Sequence, residues 1–186
     1  MNILISIDSF KGSMTSMQAG NAAKKGILKA VPDAEAVVCP LADGGEGTTD
    51  ALIEGMSGEK IELEVTGPLG ETVSCYYGWL EESRTAVMEM ASAAGLTLVN
   101  EKKPMIATTY GVGEMILDAA KRGCEKVIIG IGGSATNDGG IGMLQAFGYQ
   151  FLDKNRKDVG KGVAALGKVE MIIADAGQSA ESDRLC

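Results

Sequence analysis

No stretch of this chain limits its folding choices more than the run Gly130-Ile-Gly-Gly-Ser-Ala-Thr-Asn-Asp-Gly-Gly140. Five of its eleven residues are glycine, and Ile131 is its only large apolar side chain. Glycine loses more backbone freedom on ordering than any other residue, so such a run is poor helix and poor strand. It reads as a loop. The apolar residues Val127-Ile128-Ile129 place the end of a strand, over Lys126–Ile131, just before it. Ile141–Phe147 has the pattern of a short helix just after it. The unit is therefore strand, long glycine-rich loop, helix.

Such a loop has a physical use. Without side chains, backbone N–H groups can crowd toward one point, and a helix start beyond them adds partial positive charge. This makes a cradle for an anion such as phosphate. The amides of Gly132, Gly133 and Ser134 and the hydroxyls of Ser134 and Thr136 are its candidate donors. Asn137 and Asp138 are candidates for holding Mg²⁺ or a substrate hydroxyl. The plainer alternative is a tight connection in which Asn-Asp-Gly simply turns. A rival function is also written here. Gly130-x-Gly132-x-x-Ala135, with Asp153 after the next strand, matches a relaxed dinucleotide fingerprint and would make the chain an oxidoreductase. In that motif the helix begins within the fingerprint, and Thr136–Gly140 is poor helix material. The chain contains no Gly-Lys-Ser or Gly-Lys-Thr, so it has no Walker loop.

Two more polar clusters follow strand-like runs. Ile3–Ile7 leads into Asp8-Ser9-Phe10-Lys11-Gly12-Ser13. Ala36–Cys39 leads, after Pro40-Leu41-Ala42, into Asp43-Gly44-Gly45-Glu46-Gly47-Thr48. In open α/β sheets ligands bind beyond the carboxyl ends of strands, so clusters distant in sequence can share one crevice. Lys11 can neutralise a phosphoryl group there, the plainer alternative being a solvated surface lysine. Asp8 can orient a hydroxyl or bind metal, and Asp43 with Glu46 suits metal binding or base chemistry. The chain has no histidine at all, which removes imidazole acid–base work and histidine-bound zinc. Lysine, carboxylates, hydroxyls and bare amides remain. Phosphoryl transfer, which rests on positioning and charge stabilisation, suits that inventory.

The remaining pattern sets the fold class. Thr15-Ser16-Met17-Gln18 has capping-box spacing and starts a helix that runs to about Ala30. Thr48 is expected to cap a second helix through about Met56. This β-α-β-α rhythm favours a parallel sheet. Near Gly58 the pattern changes to adjacent strands at Lys60–Thr66, Thr72–Leu80 and Thr85–Met90, which suggests a mixed sheet. Helix Gly113–Arg122 follows, stopped by Gly123, and later strands are expected at Tyr149–Leu152 and Val169–Ala174. The expected division is residues 1–62 and 63–186. The methionine pairs Met14/Met17 and Met88/Met90 read as packing, and Trp79 as core or domain contact.

A net charge of −8 with no basic run argues against nucleic acid and anionic membrane as partners. Cys39, Cys75, Cys124 and Cys186 form no C-x-x-C pair and read as reduced, mostly buried thiols of a cytoplasmic protein.

Taken together, Asp8–Ser13, Leu41–Thr48, Ala91–Leu96, Thr108–Glu114 and Gly130–Gly142 resemble the motifs of bacterial type I glycerate kinases over residues 1–167. The resemblance implies two α/β domains, one flavodoxin-like with a parallel sheet and one with a mixed sheet, and a site between them. It implies ATP and Mg²⁺ as cofactors and D-glycerate as substrate. Asp8, Lys11, Asp43 and Asp138 are then the expected catalytic residues, with Asp43 and Asp138 as metal ligands. Gly132, Gly133, Ser134, Thr136 and Asn137 are expected to bind ATP, and Ser9, Gly44, Gly45, Glu46 and Thr48 the substrate. Ile7 stands where the family usually has proline. Family members are about twice as long, and their second half completes the first domain. The chain alone is thus expected to be a poor enzyme or inactive, with open sheet edges that favour self-association. An inert phosphate- or nucleotide-binding module is the other outcome this implies.

Overall fold

The structure, a computed structural model, describes residues 1–10 and 13–174. Strand β1 (Asn2–Ile5) pairs in parallel with β2 (Glu35–Val38) through helix α1 (Ser16–Ala30). The α1 start is the one expected. Thr15 accepts from the Gln18 amide and the Gln18 side chain returns the bond to the Thr15 amide, so both orphan donors are met. Pro32 lies just past its end, where the helix cannot continue.

Helix α2 (Thr48–Gly55) departs from expectation twice. Its cap is Gly47, in the left-handed region at φ 92°, and not Thr48. It also packs on the second sheet, against β4 (Thr72–Leu80) and β5 (Thr85–Glu89), rather than on β1–β2. The second sheet has the order β3-β4-β5-β6, with β3 at Glu59–Thr66 and β6 at Lys126–Gly130. The first three strands run antiparallel and β6 lies parallel to β5, giving the mixed sheet the strand runs suggested. Helix α3 (Met90–Ala94) grows directly out of β5 and was not expected, because no turn residue separates them. Helix α4 (Tyr110–Lys121) begins a turn earlier than its periodicity predicts and stops at Gly123, φ 88°. Helix α5 is Ile141–Ala146, so nothing in Thr136–Gly140 is helical. Strands β7 (Gln150–Leu152) and β8 (Met171–Ile173) pair antiparallel, and the short helix α6 (Val163–Leu166) lies between them.

The core lies between this mixed sheet and α4. Tyr77, Met88, Val112 and Met115 are fully buried there, and Trp79 and Ile116 nearly so. Each such side chain contributes about 1.5–3 kcal/mol. Met88 is therefore packing as read, whereas Met14 is exposed. Cys75 and Cys124 are buried, but Cys39 is exposed at the end of β2, a correction to its expected burial. Burial pushes the Cys75 thiol up to about 12, which keeps it inert. Among the described residues no helix is long and apolar enough to cross a membrane. Cys186 and the tail from Gln178 lie outside the described residues.

Candidate functional site

The three polar loops leave the carboxyl ends of β1, β2 and β6, as the strand–loop pattern requires. The second and third meet backbone to backbone. The Gly132 amide donates to the Gly44 carbonyl at 2.9 Å. A Cβ on Gly130 would sit 2.7 Å from that same oxygen, and one on Gly132 would sit 2.7 Å from Gly45 Cα. Real Cβ atoms do not approach backbone so closely, so only glycine lets these loops touch. The first and second loops border a common cavity. Ser9 and Phe10 line a cavity of about 650 Å³ together with Glu46, Gly47, Asp50 and Tyr76.

Individual residues fall into three groups. Asp8 is exposed and accepts from the Ser9 amide at 2.7 Å. Asp43 is exposed and its Oδ1 accepts from the Gly45 amide at 2.9 Å, which leaves Oδ2 open. Glu46 and Ser9 face the large cavity. Ser134, Thr136 and Asn137 instead line a smaller cavity of about 210 Å³, walled by Leu96, Val99, Lys102 and Ala107. Within it, Ser134 Oγ and Thr136 Oγ1 share a hydrogen bond of 2.8 Å. Among the described residues, the amides of Gly133 and Ser134 take no protein acceptor. Lys11 lies outside the described residues.

The third group turns inward. Gly132 has no free amide, because Gly44 takes it. Thr48 is buried and its hydroxyl closes its own loop, donating to the Gly45 carbonyl at 2.7 Å and accepting from the Gly44 amide at 3.1 Å. Asp138 is fully buried. Its carboxylate accepts from the Thr109 amide at 2.8 Å, the Thr109 hydroxyl at 3.0 Å, and the amides of Gly140 and Gly142 at 3.1 and 3.2 Å. It caps the starts of α4 and α5 together, since the caps Thr109 and Gly140 make no side-chain bond to their own helices. The positive end of α5 is thus met by Asp138 and not held open for a ligand. Both carboxylate oxygens of Asp138 are therefore engaged by protein donors. Its geometry is that of a brace for the loop.

Glu89 plays the matching part at α2 and was missed. It ends β5, stands in register with Gly130, and is buried. Its Oε1 accepts from the Thr49 amide at 2.8 Å, capping a helix whose own cap residue, Gly47, has no side chain. Burial holds its carboxyl above the usual range, with the Thr49 amide pulling the other way. The signal was available: an acid at the end of an otherwise apolar strand is rare without a task.

The site can be tested against the groups the chemistry requires. The unpaired Ser134 amide, two hydroxyls and one carboxamide lining a small cavity suit phosphate oxygens. Among the described residues no three acidic or sulfur side chains are gathered as a metal cage. Mg²⁺ typically takes one or two carboxylates and completes its shell with phosphate and water, so Asp43 alone is compatible with it.

Fold and loops thus define a mixed α/β protein whose glycine-rich strand ends converge. A family model described as the glycerate kinase family matches residues 3–183, further along the chain than the motifs alone reach. The chain belongs to that family. It is 47% identical over 174 residues to a glycerate kinase of Haemophilus influenzae, covering 92% of this chain and 46% of that protein. It is 45% identical over 174 residues to the glycerate 2-kinase of Escherichia coli K12, with the same coverage. A crystal structure designated glycerate kinase 2, from Salmonella typhimurium LT2, superposes with a TM-score of 0.84 at 43% identity, covering 92% of this chain and 46% of that one. The chain spans about half the length of the curated relatives it matches.

Proposed function

We propose that this chain carries part of an ATP-dependent kinase that phosphorylates D-glycerate, with the name of the Escherichia coli relative favouring the 2-hydroxyl. The observation that carries the reading is the contact of Gly44 and Gly45 with Gly130 and Gly132. It joins the loop bearing Asp43 and Glu46 to the loop bearing Ser134, Thr136 and Asn137.

The roles divide by exposure. Gly133, Ser134, Thr136 and Asn137 bind phosphate oxygens through their open amides and polar side chains. Asp43, one oxygen held by Gly45 and the other open, orients the glycerate hydroxyl and accepts its proton, or shares the metal. Mg²⁺, when bound, neutralises charge on the phosphate oxygens. Ser9, Gly44, Gly45 and Glu46 border the substrate, Asp8 orients it, and Lys11 balances phosphate charge. Asp138, Gly132 and Thr48 are positioning residues, a revision of their expected roles. Within residues 1–62, β1–α1–β2 starts one domain, and the mixed sheet with α2 packed on it forms the other.

Turnover by the chain alone is expected to be low. A two-stranded sheet is marginal by itself, and β1–β2 exposes Leu4 (69%) and Val37 (54%) on one face. The same face makes self-association the expected behaviour at high concentration. A cytoplasmic setting fits the free thiols.

A thermal-shift series with Mg–ATP, D-glycerate and NAD⁺ tests the reading. A ligand of the folded state stabilises it, by about 2.7 kcal/mol at a hundredfold excess over Kd. Mg–ATP is expected to raise the melting temperature and NAD⁺ to leave it unchanged. Fusing the chain to the remaining half of the Haemophilus influenzae relative is expected to give glycerate-dependent ADP release. Stabilisation by NAD⁺ alone would return the oxidoreductase reading, and ATP binding with no turnover in the fusion would leave an inert nucleotide-binding module.

A further inference from the structure

The chain is acidic, and so is the 650 Å³ cavity, which is lined by Glu46, Asp50, Glu54 and Glu89. A third, shallower depression on the β3–β4 face carries Glu62 and Glu64. The cavity beside Ser134 has the opposite character. Its lining includes Lys102 and Lys103 and no carboxylate. Lys103 is paired with Glu101 at 3.1 Å, while Lys102 has no ion-pair partner among the described residues. A hollow lined by lysine and by no carboxylate attracts a polyanion locally, whatever the net charge.

Both walls of this hollow are fixed. On one side the Ala135 amide donates to the Ala94 carbonyl at 2.8 Å, and the Leu96 amide to the Gly133 carbonyl at 2.9 Å. These bonds tie the glycine-rich loop to the end of α3. On the other side the Lys103 carbonyl accepts from the amides of Ile106 and Ala107, both at 3.1 Å, and the Thr108 amide donates to the Pro68 carbonyl at 2.9 Å. The turn that follows Lys102 is therefore closed on itself and tied to Pro68, and Lys102 lines the same hollow as Ser134. At about 210 Å³ the hollow has room for a phosphate chain.

We propose that this hollow seats the phosphate chain of a nucleoside triphosphate, with Lys102 as its counter-charge opposite Ser134, Thr136 and Asn137. The nucleoside lies outside it. The inference rests on the phosphotransferase reading of the same loop and adds to it a cation that no glycine-rich motif announces. Lys102 is a point charge on a flexible stem, suited to follow phosphate oxygens rather than to fix one geometry.

Calorimetric titration of the 186-residue chain with ATP and with inorganic tripolyphosphate tests it. Lys102→Ala is expected to weaken both ligands at least tenfold, Lys102→Arg to restore most of the loss, and Lys25→Ala, on the exposed face of α1, to change nothing. Affinity is expected to fall with added salt for the parent and less steeply for Lys102→Ala. A melting curve for each variant confirms that the fold is kept. If Lys102→Ala binds both ligands as the parent does, the assignment of Lys102 is overturned and the nucleotide-binding reading stands. If the parent binds ATP but not tripolyphosphate, the hollow is not the phosphate seat. If it binds neither, both readings fall.

Discussion

The amide of Gly132 donates to the carbonyl of Gly44 across 2.9 Å, and no side chain intervenes between the two loops. The eighty-seven residues between them in sequence hold the whole of β3, β4 and β5. This one bond joins the end of the two-stranded sheet's second loop to the end of the mixed sheet.

The first prediction follows from that closeness. Gly132→Ala places a methyl 2.7 Å from Gly45 Cα, and Gly130→Ala places one 2.7 Å from the Gly44 carbonyl oxygen. The obstacle is backbone, which cannot rotate away. Each variant is expected to lose about 1–3 kcal/mol in urea unfolding. Each is also expected to lose Mg–ATP stabilisation. Gly26→Ala, where a Cβ meets nothing within 4 Å, serves as the control and is expected to be neutral or slightly stabilising.

Asp138 supplies the second. Asp138→Ala leaves the amides of Thr109, Gly140 and Gly142 without their acceptor in a buried place. Unmet buried donors cost about 1–3 kcal/mol each, so a total near 3 kcal/mol or more is expected. Asp138→Asn keeps one acceptor and turns an N–H₂ group toward donors, and it is expected to fall between. A catalytic Asp138 would instead give a stable, inactive Asn variant.

Much of this was legible in the chain. The Thr15–Gln18 capping box, the bounds of β4 and the Gly123 stop are local signals, and local chemistry decided them. Convergence of the loops was legible as a pattern, because each follows a strand. What the sequence could not separate was Asp43 from Asp138. Both stand among glycines, yet one is exposed and the other is sealed by Thr109, which lies 29 residues away. Helix α2 was assigned to the wrong sheet for a similar reason. Its start is met by Glu89, which reaches it from β5 across 40 residues of sequence. Helix α3 was missed because β5 runs into it without a glycine, proline or cap.

Glu89 gives a prediction for pH. Its folded carboxyl lies above its unfolded value, so the folded state binds the proton more tightly. Stability from this group is then fully present below the ordinary glutamate value of about 4.3, and it is lost as pH rises from there through the folded value. Glu89→Gln keeps an acceptor for the Thr49 amide and removes the titration. The difference in unfolding free energy between parent and variant is expected to shift in favour of the variant as pH rises above 4.3. A difference independent of pH would show that burial does not perturb this acid.

Thr15 offers a test of the fold independent of the site. Thr15→Ala removes the acceptor for the Gln18 amide, and about 1 kcal/mol of stability is expected to go with it. Thr15→Ser is expected to restore most of the loss.

The most direct measurement is a map of backbone amide shifts as Mg–ATP is added to the ¹⁵N-labelled chain. The largest changes are expected at Gly133, Ser134, Thr136 and Asn137, with smaller ones at Gly44 and Gly45 carried through the bond from Gly132. Changes confined to the β3–β4 hairpin, with Ser134 and Gly44 unmoved, would contradict the phosphate-binding role given to these loops.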